Sequence, residues 1–267
     1  MPIPSFRLNA FTGSGFAGNP AIVAVLEAYP GDAVLQGFAT ENNVPETAFL
    51  VRQGGDYQLR WFTPCVEVPL CGHATLASAA VVMERLEPGR QQVTFHSASG
   101  PLTVRRDIEL DDPDGRYTLN FPVRRCTPVA MPPDLAMALG AQPIEVAHDG
   151  FNYVARMQSA QAVCDLSPGM ARIASLPGVA GVIVTAEGSA PYDIVSRYFA
   201  PIKGIPEDPV TGGAHCALAH FWSERLGRNE FLAWQASARG GEMGVRLLGE
   251  RVELEGRCVF CMQDAQF

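Results

Sequence analysis

The sequence is poor in features that would tie the protein to nucleic acid or to a membrane. The net charge is −8 and no basic run occurs, so nucleic acid is not an expected partner. No apolar run reaches the roughly eighteen residues of a membrane-spanning helix. The N-terminus lacks the basic start and apolar block of a signal peptide, which predicts a cytoplasmic protein.

Signatures of disulfides, metals and bound cofactors are also missing. The seven cysteines are scattered without a framework spacing, which is typical of reduced thiols. Cys258 and Cys261 form a C-x-x-C, but a strand is predicted there, and alternation would send the two thiols to opposite faces. The loop from Gly13 to Gly18 reads G-x-G-x-x-G, yet a proline and an apolar run follow where a dinucleotide-binding helix should begin. We therefore expect neither a metal nor a cofactor.

What the chain does contain is an internal repeat. Cys71–Leu86 and Thr211–Leu226 share seven identities in sixteen aligned positions, and Arg60–Pro64 resembles Arg197–Pro201 further upstream. Matching blocks in the same order predict two similar halves, each with a strand, a loop with glycine and a helix. The proline-rich segment 122–133 is the predicted linker. We expect domains at 1–125 and 126–267, with the last strand able to pack back on the first half.

Glycines open both repeated helices. Gly72 starts the first helix, and Gly212 with Gly213 starts the second, so the backbone can approach a ligand closely at both places. The first N–H groups of a helix have no partner inside it, and the helix dipole favours an anion there. A face-to-face arrangement of the halves would direct both helix starts into one cleft. The sequence therefore predicts a binding site for a small carboxylate.

Acidic residues and histidines close to these helix starts are candidates for acid–base chemistry. Glu46 lies among apolar neighbours, and partial burial would raise its pKa, although a solvated turn glutamate is the alternative. His73 lies just inside a helix start, where the dipole disfavours the charged ring; a bond to local backbone is the alternative. Asp208 precedes Gly212, and the dipole would keep it ionised. The other candidates are Glu67, Glu207, His215 and His220. This inventory fits a proton transfer without a cofactor.

Four stretches that span most of the chain also match the motifs of a known family. They are Gly18–Val23 (GNPAIV), Asn42–Phe49 (NNVPETAF), Arg60–Ala79 (RWFTP…EVPLCGHATLASA) and Arg197–Ala214 (RYFAP…EDPVTGGA). In these stretches the chain resembles the phenazine-biosynthesis PhzF-like family, within the diaminopimelate-epimerase-like superfamily. The resemblance implies an α/β fold of two pseudo-symmetric domains, each a barrel-like, mostly antiparallel sheet around a central helix. It also implies a homodimer, no cofactor and an isomerase that moves a proton on a small ring acid.

The resemblance assigns roles to individual side chains as well. Glu46 resembles the carboxylate that shuttles the proton in the family, and His73 and Asp208 resemble its hydrogen-bonding and acid–base partners. Asn19 lies in the first motif and is expected to contact the substrate. The resemblance therefore implies catalytic roles for Glu46, His73 and Asp208.

The backbone N–H groups of Gly72, His73, Gly212 and Gly213 resemble the family's anion cradle. Gly213 is a departure, because the phenazine enzyme has serine at this position of the motif. The backbone N–H is kept, but the hydroxyl is absent, and losing a hydrogen bond to a charged group costs about 1.5–3 kcal/mol. The departure favours a substrate other than the phenazine precursor.

Two other functions remain open at the level of sequence. A racemase or epimerase with two thiols needs a cysteine before each helix; Cys71 meets this need, whereas Thr211 occupies the second position and Cys216 lies more than a turn further on. A small-molecule binding protein that has kept the site without turnover is the other alternative. Solvent deuterium incorporation distinguishes a binder from an isomerase, and alkylation of Cys71 distinguishes the thiol mechanism from the carboxylate mechanism.

Overall fold

The computed structural model of the chain describes residues 3–109 and 112–263. It divides into two compact units: one contains the chain up to Phe121 and again from Glu255 onward, and the other is Pro122–Leu254. The first segment of the first unit ends at Phe121, four residues before the boundary predicted at residue 125. The C-terminal segment groups with the first unit because its final strand pairs with the first strand of the chain. Within the described ranges, no helix combines the length and the apolar character that crossing a membrane requires.

The elements of the first unit follow one another as strands with two intervening helices. In chain order they are β1 (Ser5–Ala10), β2 (Asn19–Leu26), α1 (Asp32–Asn42), β3 (Glu46–Gln53), β4 (Asp56–Phe62), β5 (Glu67–Val68), α2 (Gly72–Val81), β6 (Gln92–Ser97), β7 (Gly100–Glu109) and β8 (Asp112–Pro122). A π-helical turn, Val82–Leu86, continues α2.

The second unit has the same alternation of strands with short connections and helices. Its elements are β9 (Thr127–Pro128), α3 (Leu135–Leu139), β10 (Glu145–His148), β11 (Asn152–Arg156), α4 (Ala160–Cys164), α5 (Met170–Ala174), β12 (Gly181–Glu187), β13 (Ile194–Ala200), β14 (Ile205–Asp208), α6 (Gly212–Leu226), β15 (Glu230–Gln235) and β16 (Gly241–Leu248). The last elements that the structure describes are β17 (Arg251–Gly256) and β18 (Cys258–Gln263).

The two units share one strand topology. In the first, the pairs β1–β2, β3–β4 and β6–β7 are antiparallel, and β2–β3 and β4–β6 are parallel. In the second, β10–β11, β12–β13 and β15–β16 are antiparallel, and β11–β12 and β13–β15 are parallel. Each parallel step needs a crossover, and α1, α2, the α4–α5 pair and α6 supply them. This correspondence confirms the predicted internal repeat.

A helix runs through the core of each unit. Every residue of α2 after Gly72 is buried, and the helix packs against β1, β2, β3, β7 and β18. In α6 the buried positions extend from Gly212 to Trp222 on almost all sides of the helix, which packs against β15 and β16. A helix buried all round is a core element, so the sheet must curve about it. Both units therefore have the predicted barrel-like sheet around a central helix.

A matched ion pair fixes the strand that precedes each central helix. Arg60 contacts Glu67 through Nε–Oε1 and Nη2–Oε2, both at 2.7 Å. Arg197 contacts Glu207 in the same way, at 2.7 and 3.0 Å. Each glutamate lies opposite a phenylalanine in the register of its strand pair. The sequence had suggested Glu67 and Glu207 as acid–base candidates. Because each of them pairs with an arginine, we assign them a structural role.

Candidate active site

Three elements of the first unit converge on a buried carboxyl–imidazole pair. Glu46 begins β3 and is the register partner of Ala21 on β2, while His73 is the second residue of α2. Nε2 of His73 lies 3.2 Å from Oε2 of Glu46, and the two side chains are 5% and 12% exposed. A carboxyl group and an imidazole at this distance, shielded from water, can exchange a proton. The structure thus brings two of the three predicted catalytic residues together.

His73 is neutral at pH 7. Burial lowers its pKa to about 3, although a hydrogen bond to the backbone carbonyl of Pro20 opposes the shift. The sequence argument predicted a neutral ring from the helix dipole, but burial is the main cause. A neutral imidazole carries one N–H and one lone pair, so the ring can donate or accept a hydrogen bond without carrying a charge into the core.

Cys71 completes a cluster of three potential ligands. It is the N-cap residue of α2, and its Sγ lies 3.5 Å from Nδ1 of His73. Donor atoms of Glu46, Cys71 and His73 lie within 4.8 Å of one another. The carboxylate faces Nε2, however, and the thiol faces Nδ1, whereas one ion binds one ring nitrogen. The arrangement is better suited to proton exchange than to metal binding.

Asn19 is positioned by a turn at Gly18 that leads into β2. It begins the strand and is fully buried. Gly18 before it has φ +72°, and a Cβ there would lie 2.4 Å from the carbonyl oxygen of Ala10, so only glycine fits. The glycine loop leads into a strand here, not into the helix that a dinucleotide fold requires. The substrate contact assigned to Asn19 stays a prediction.

In the second unit, a buried glutamine fixes Asp208 in front of α6. The Oδ2 atom of Asp208 accepts a hydrogen bond from Oγ1 of Thr211 at 2.6 Å. Gln235 is 1% exposed; its Oε1 accepts from the backbone N–H of Thr211 at 2.8 Å, and its Nε2 donates to the carbonyl of Asp208 at 2.7 Å. The amide therefore ties both ends of the loop, and the carboxylate of Asp208 is held at a fixed place.

The central helices begin without a cap from their own N-cap side chains. Thr211 is the N-cap residue of α6, but its hydroxyl donates to Asp208, and no cap bond forms. Cys71 likewise makes no cap bond to α2. The first turns at Gly72, Gly212 and Gly213 therefore do not use these side chains to satisfy their N–H groups. Both starts keep the character of anion-binding helix ends.

Two further histidines of the second unit have structural contacts. His215 is fully buried, its Nδ1 donates to the carbonyl of Thr211 at 2.8 Å, and burial lowers its pKa to about 4. His220 accepts a hydrogen bond from the backbone N–H of Cys126 through Nδ1 at 3.3 Å. These contacts hold the helix in place, so we assign neither histidine to the acid–base group that the sequence suggested.

Sequence reasoning missed two residues beside α6. Arg124 was placed in a linker, yet its Nη1 and Nη2 atoms lie 3.4 Å from the position of a Cβ on Gly213. Gln235 lies on β15 and was not among the predicted site residues. The sequence carries no signal for either residue, because their places beside α6 depend on the fold.

Comparisons with known proteins agree with this architecture. The profile of the phenazine biosynthesis-like protein family matches residues 8–264. An uncharacterised isomerase of Pseudomonas aeruginosa is 44% identical over 259 residues, which cover 97% of this chain and 96% of that protein. A PhzF-family phenazine biosynthesis protein from Enterococcus faecalis has a crystal structure that superposes with a TM-score of 0.93 at 37% identity, covering 100% of both chains.

A more distant likeness concerns the fold alone. A probable proline racemase from Agrobacterium radiobacter is 14% identical and superposes with a TM-score of 0.65, covering 99% of this chain and 92% of that chain. The predicted epimerase-like fold is thereby confirmed. On the strength of the profile match and the close relatives, the chain belongs to the phenazine biosynthesis-like protein family.

Proposed function

We propose that the protein is a cofactor-independent isomerase that moves a proton on a small carboxylate-bearing substrate. The observation that carries the proposal is the buried contact between Glu46 and His73, 3.2 Å apart. Family membership supports it, because a relative that is 44% identical is named an isomerase. The carboxyl group of Glu46 is the group that exchanges the proton with substrate carbon.

The proposed step conserves atoms and electrons. The carboxylate of Glu46 takes a proton from a substrate carbon, and the electron pair of that C–H bond enters a conjugated system. The double bond shifts, and the proton is returned to a different carbon, so no oxidant or reductant is required. The neutral ring of His73, 3.2 Å from the carboxyl of Glu46, is its proposed acid–base partner. We assign Asp208 as a second acid–base group in the other unit.

The substrate carboxylate is the natural ligand for the uncapped helix starts. The N–H groups of Gly72 and His73 in the first unit, and those of Gly212 and Gly213 in the second, are the proposed anion-binding groups, and Asn19 is a proposed further contact. An anion held near the reacting carbon lets the protein stabilise charge that develops as the proton leaves. The homodimer and the cytoplasmic location stay predictions.

The two-thiol alternative lacks a second acid–base thiol in the right place. Cys71 and Thr211 are the N-cap residues of α2 and α6, so threonine stands where the second thiol is needed. Cys216 is 3% exposed, and burial raises the pKa of its thiol to about 12, so it is protonated at pH 7. A protonated, buried thiol is a poor base. These observations favour the carboxylate mechanism.

Solvent deuterium exchange tests the proposal. Wild-type protein and the Cys71→Ala variant are incubated in deuterated water with a panel of small cyclic and amino-acid carboxylates, and mass spectrometry follows carbon-bound deuterium. We expect incorporation with at least one acid, and a rate in the variant within about tenfold of wild type. Loss of exchange in Cys71→Ala would support the thiol mechanism instead. Thermal stabilisation by the acids without any exchange would indicate a binding protein.

A further inference from the structure

We propose that Arg124 recognises the substrate carboxylate in the second unit, beside the start of α6. The inference rests on the proposed function and names the side chain that binds the acid group. A guanidinium group lies against Gly213, one of the two glycines that open this helix.

The guanidinium lies flat against the first turn of α6. Its Nη1 and Nη2 atoms are each 3.4 Å, and its Cζ atom 3.5 Å, from the place of a Cβ on Gly213. The backbone N–H of Arg124 donates to the carbonyl of Cys216 at 3.3 Å, which anchors the residue beside the helix. The Cζ atom also lies 4.9 Å from the ring centroid of Phe151, so an aromatic face orients the group.

The guanidinium of Arg124 lies near a carboxylate to which it donates no hydrogen bond. Asp149 has a side chain with no exposed surface, and its Oδ2 is 3.8 Å from Nη1 of Arg124, beyond hydrogen-bond distance. That carboxylate already accepts from the N–H of Phe151 at 2.8 Å and from the backbone N–H and the side-chain amide of Asn152 at 2.5 and 3.0 Å. Among the residues that the structure describes, none accepts a hydrogen bond from the guanidinium. Its side chain is 29% exposed, so a ligand can reach it.

The helix start and the guanidinium both favour a bound anion. The start of a helix carries partial positive charge, and a guanidinium lies beside the uncapped first turn of α6. Burial raises the pKa of Tyr198; the carboxylate of Asp208 adds to this increase, the guanidinium of Arg124 opposes it and Asp149 adds to it, so these charges lie close to one phenol. A bound carboxylate would interact favourably with both the guanidinium and the first turn.

The chemistry of the group indicates what it binds. A guanidinium presents parallel N–H donors that match the two oxygens of a carboxylate, and such a pair fixes the plane of the bound acid. This arrangement therefore favours planar carboxylates and disfavours neutral amides or esters of the same shape.

Binding of matched ligand pairs tests the inference. Calorimetry measures 2-aminobenzoate against 2-aminobenzamide, and cyclohex-3-ene-1-carboxylate against its amide, on wild type and on Arg124→Gln and Arg124→Lys. We expect the acids to bind wild type more tightly than the amides, and Arg124→Gln to lose about tenfold to a hundredfold in affinity for the acids alone. Lysine keeps the charge without the fork, so Arg124→Lys should fall between wild type and Arg124→Gln.

The matched control is Arg125→Gln. This variant removes the same charge one residue away. Arg125 pairs with Glu250 on the surface, and 59% of the Arg125 side chain is exposed. This variant should bind the acids as wild type does. Equal affinity of Arg124→Gln and wild type for the acids, or no preference of wild type for acid over amide, overturns the inference.

Failure of this inference is distinguishable from failure of the proposed function. Deuterium exchange by wild type together with unchanged binding in Arg124→Gln would leave the isomerase intact and remove Arg124 from recognition. Acid binding that depends on Arg124, without exchange on any acid, would uphold the recognition site and refute the isomerase. If the recognition site and the isomerase activity are both upheld, deuterium exchange by Arg124→Gln should show a raised KM and a kcat within about threefold of wild type.

Discussion

The two buried histidines should make the protein unusually sensitive to mild acid. His73 and His215 have pKa values lowered from 6.5 to about 3 and about 4, chiefly by burial. Below pH 6.5 these two histidines bind protons in the unfolded chain but not in the folded protein. The free energy of unfolding must therefore fall as the pH falls. The loss begins near pH 6.5 and continues until each folded-state pKa is reached.

The magnitude follows from the width of that window. One pKa unit corresponds to about 1.4 kcal/mol, so lowering the pH from 6.5 to 4.5 costs about 2 kcal/mol for each histidine and about 4 kcal/mol for both. A domain has roughly 5–15 kcal/mol of stability in total. Carboxylates with lowered pKa values, such as Glu87 and Glu145, lose their contribution only below pH 4.5. The interval from 6.5 to 4.5 therefore reports the histidines.

Urea unfolding at four pH values from 7.5 to 4.5, followed by tryptophan fluorescence, measures this slope. His215→Asn keeps a donor for the carbonyl of Thr211 but does not titrate, so it should remove about half of the pH dependence. His96→Asn is the matched control, because His96 is exposed on β6. A slope in His215→Asn equal to that of wild type would refute the reasoning.

Two further predictions concern the repeat and the glycine loop. Glu207→Gln should cost about 1–3 kcal/mol and Glu67→Gln about 1 kcal/mol or less, because the Arg60–Glu67 pair is more exposed than the Arg197–Glu207 pair; urea unfolding checks the order, and a larger loss in Glu67→Gln contradicts it. Gly18→Ala should cost about 2 kcal/mol or more, because its Cβ meets the carbonyl of Ala10; Gly15→Ala, with open space around it, is the control, and equal losses in the two variants contradict the steric argument.

The architecture of each unit could be predicted because the sequence contains an internal repeat. Identities between Cys71–Leu86 and Thr211–Leu226 indicated two glycine-led helices, and the structure has both in equivalent places. The departure is local: after Val81 the first helix widens into a π-helical turn, whereas the second stays α-helical through Leu226. Aligned sequences of equal length carry no signal for that change, since it depends on packing around the end of the helix.

The candidate site was predictable only in part. Glu46 and His73 lie in motifs that resemble a known family, so their pairing could be expected. The neutral state of His73 was expected for the wrong main reason, because burial depends on how three separate elements pack, and a local helix argument cannot measure it. Arg124 and Gln235 act on residues far along the chain. Their roles became visible only when the strands that carry them were placed beside α6.

The central claim is that the carboxyl group of Glu46 exchanges a proton with substrate carbon. The most direct measurement compares wild type, Glu46→Gln and Glu41→Gln in deuterated water with the same carboxylate panel. Glu41 is exposed on α1, so its variant makes the same chemical change outside the site. The account predicts deuterium incorporation by wild type and Glu41→Gln, and a loss of at least about a hundredfold in Glu46→Gln. Undiminished exchange in Glu46→Gln would contradict it.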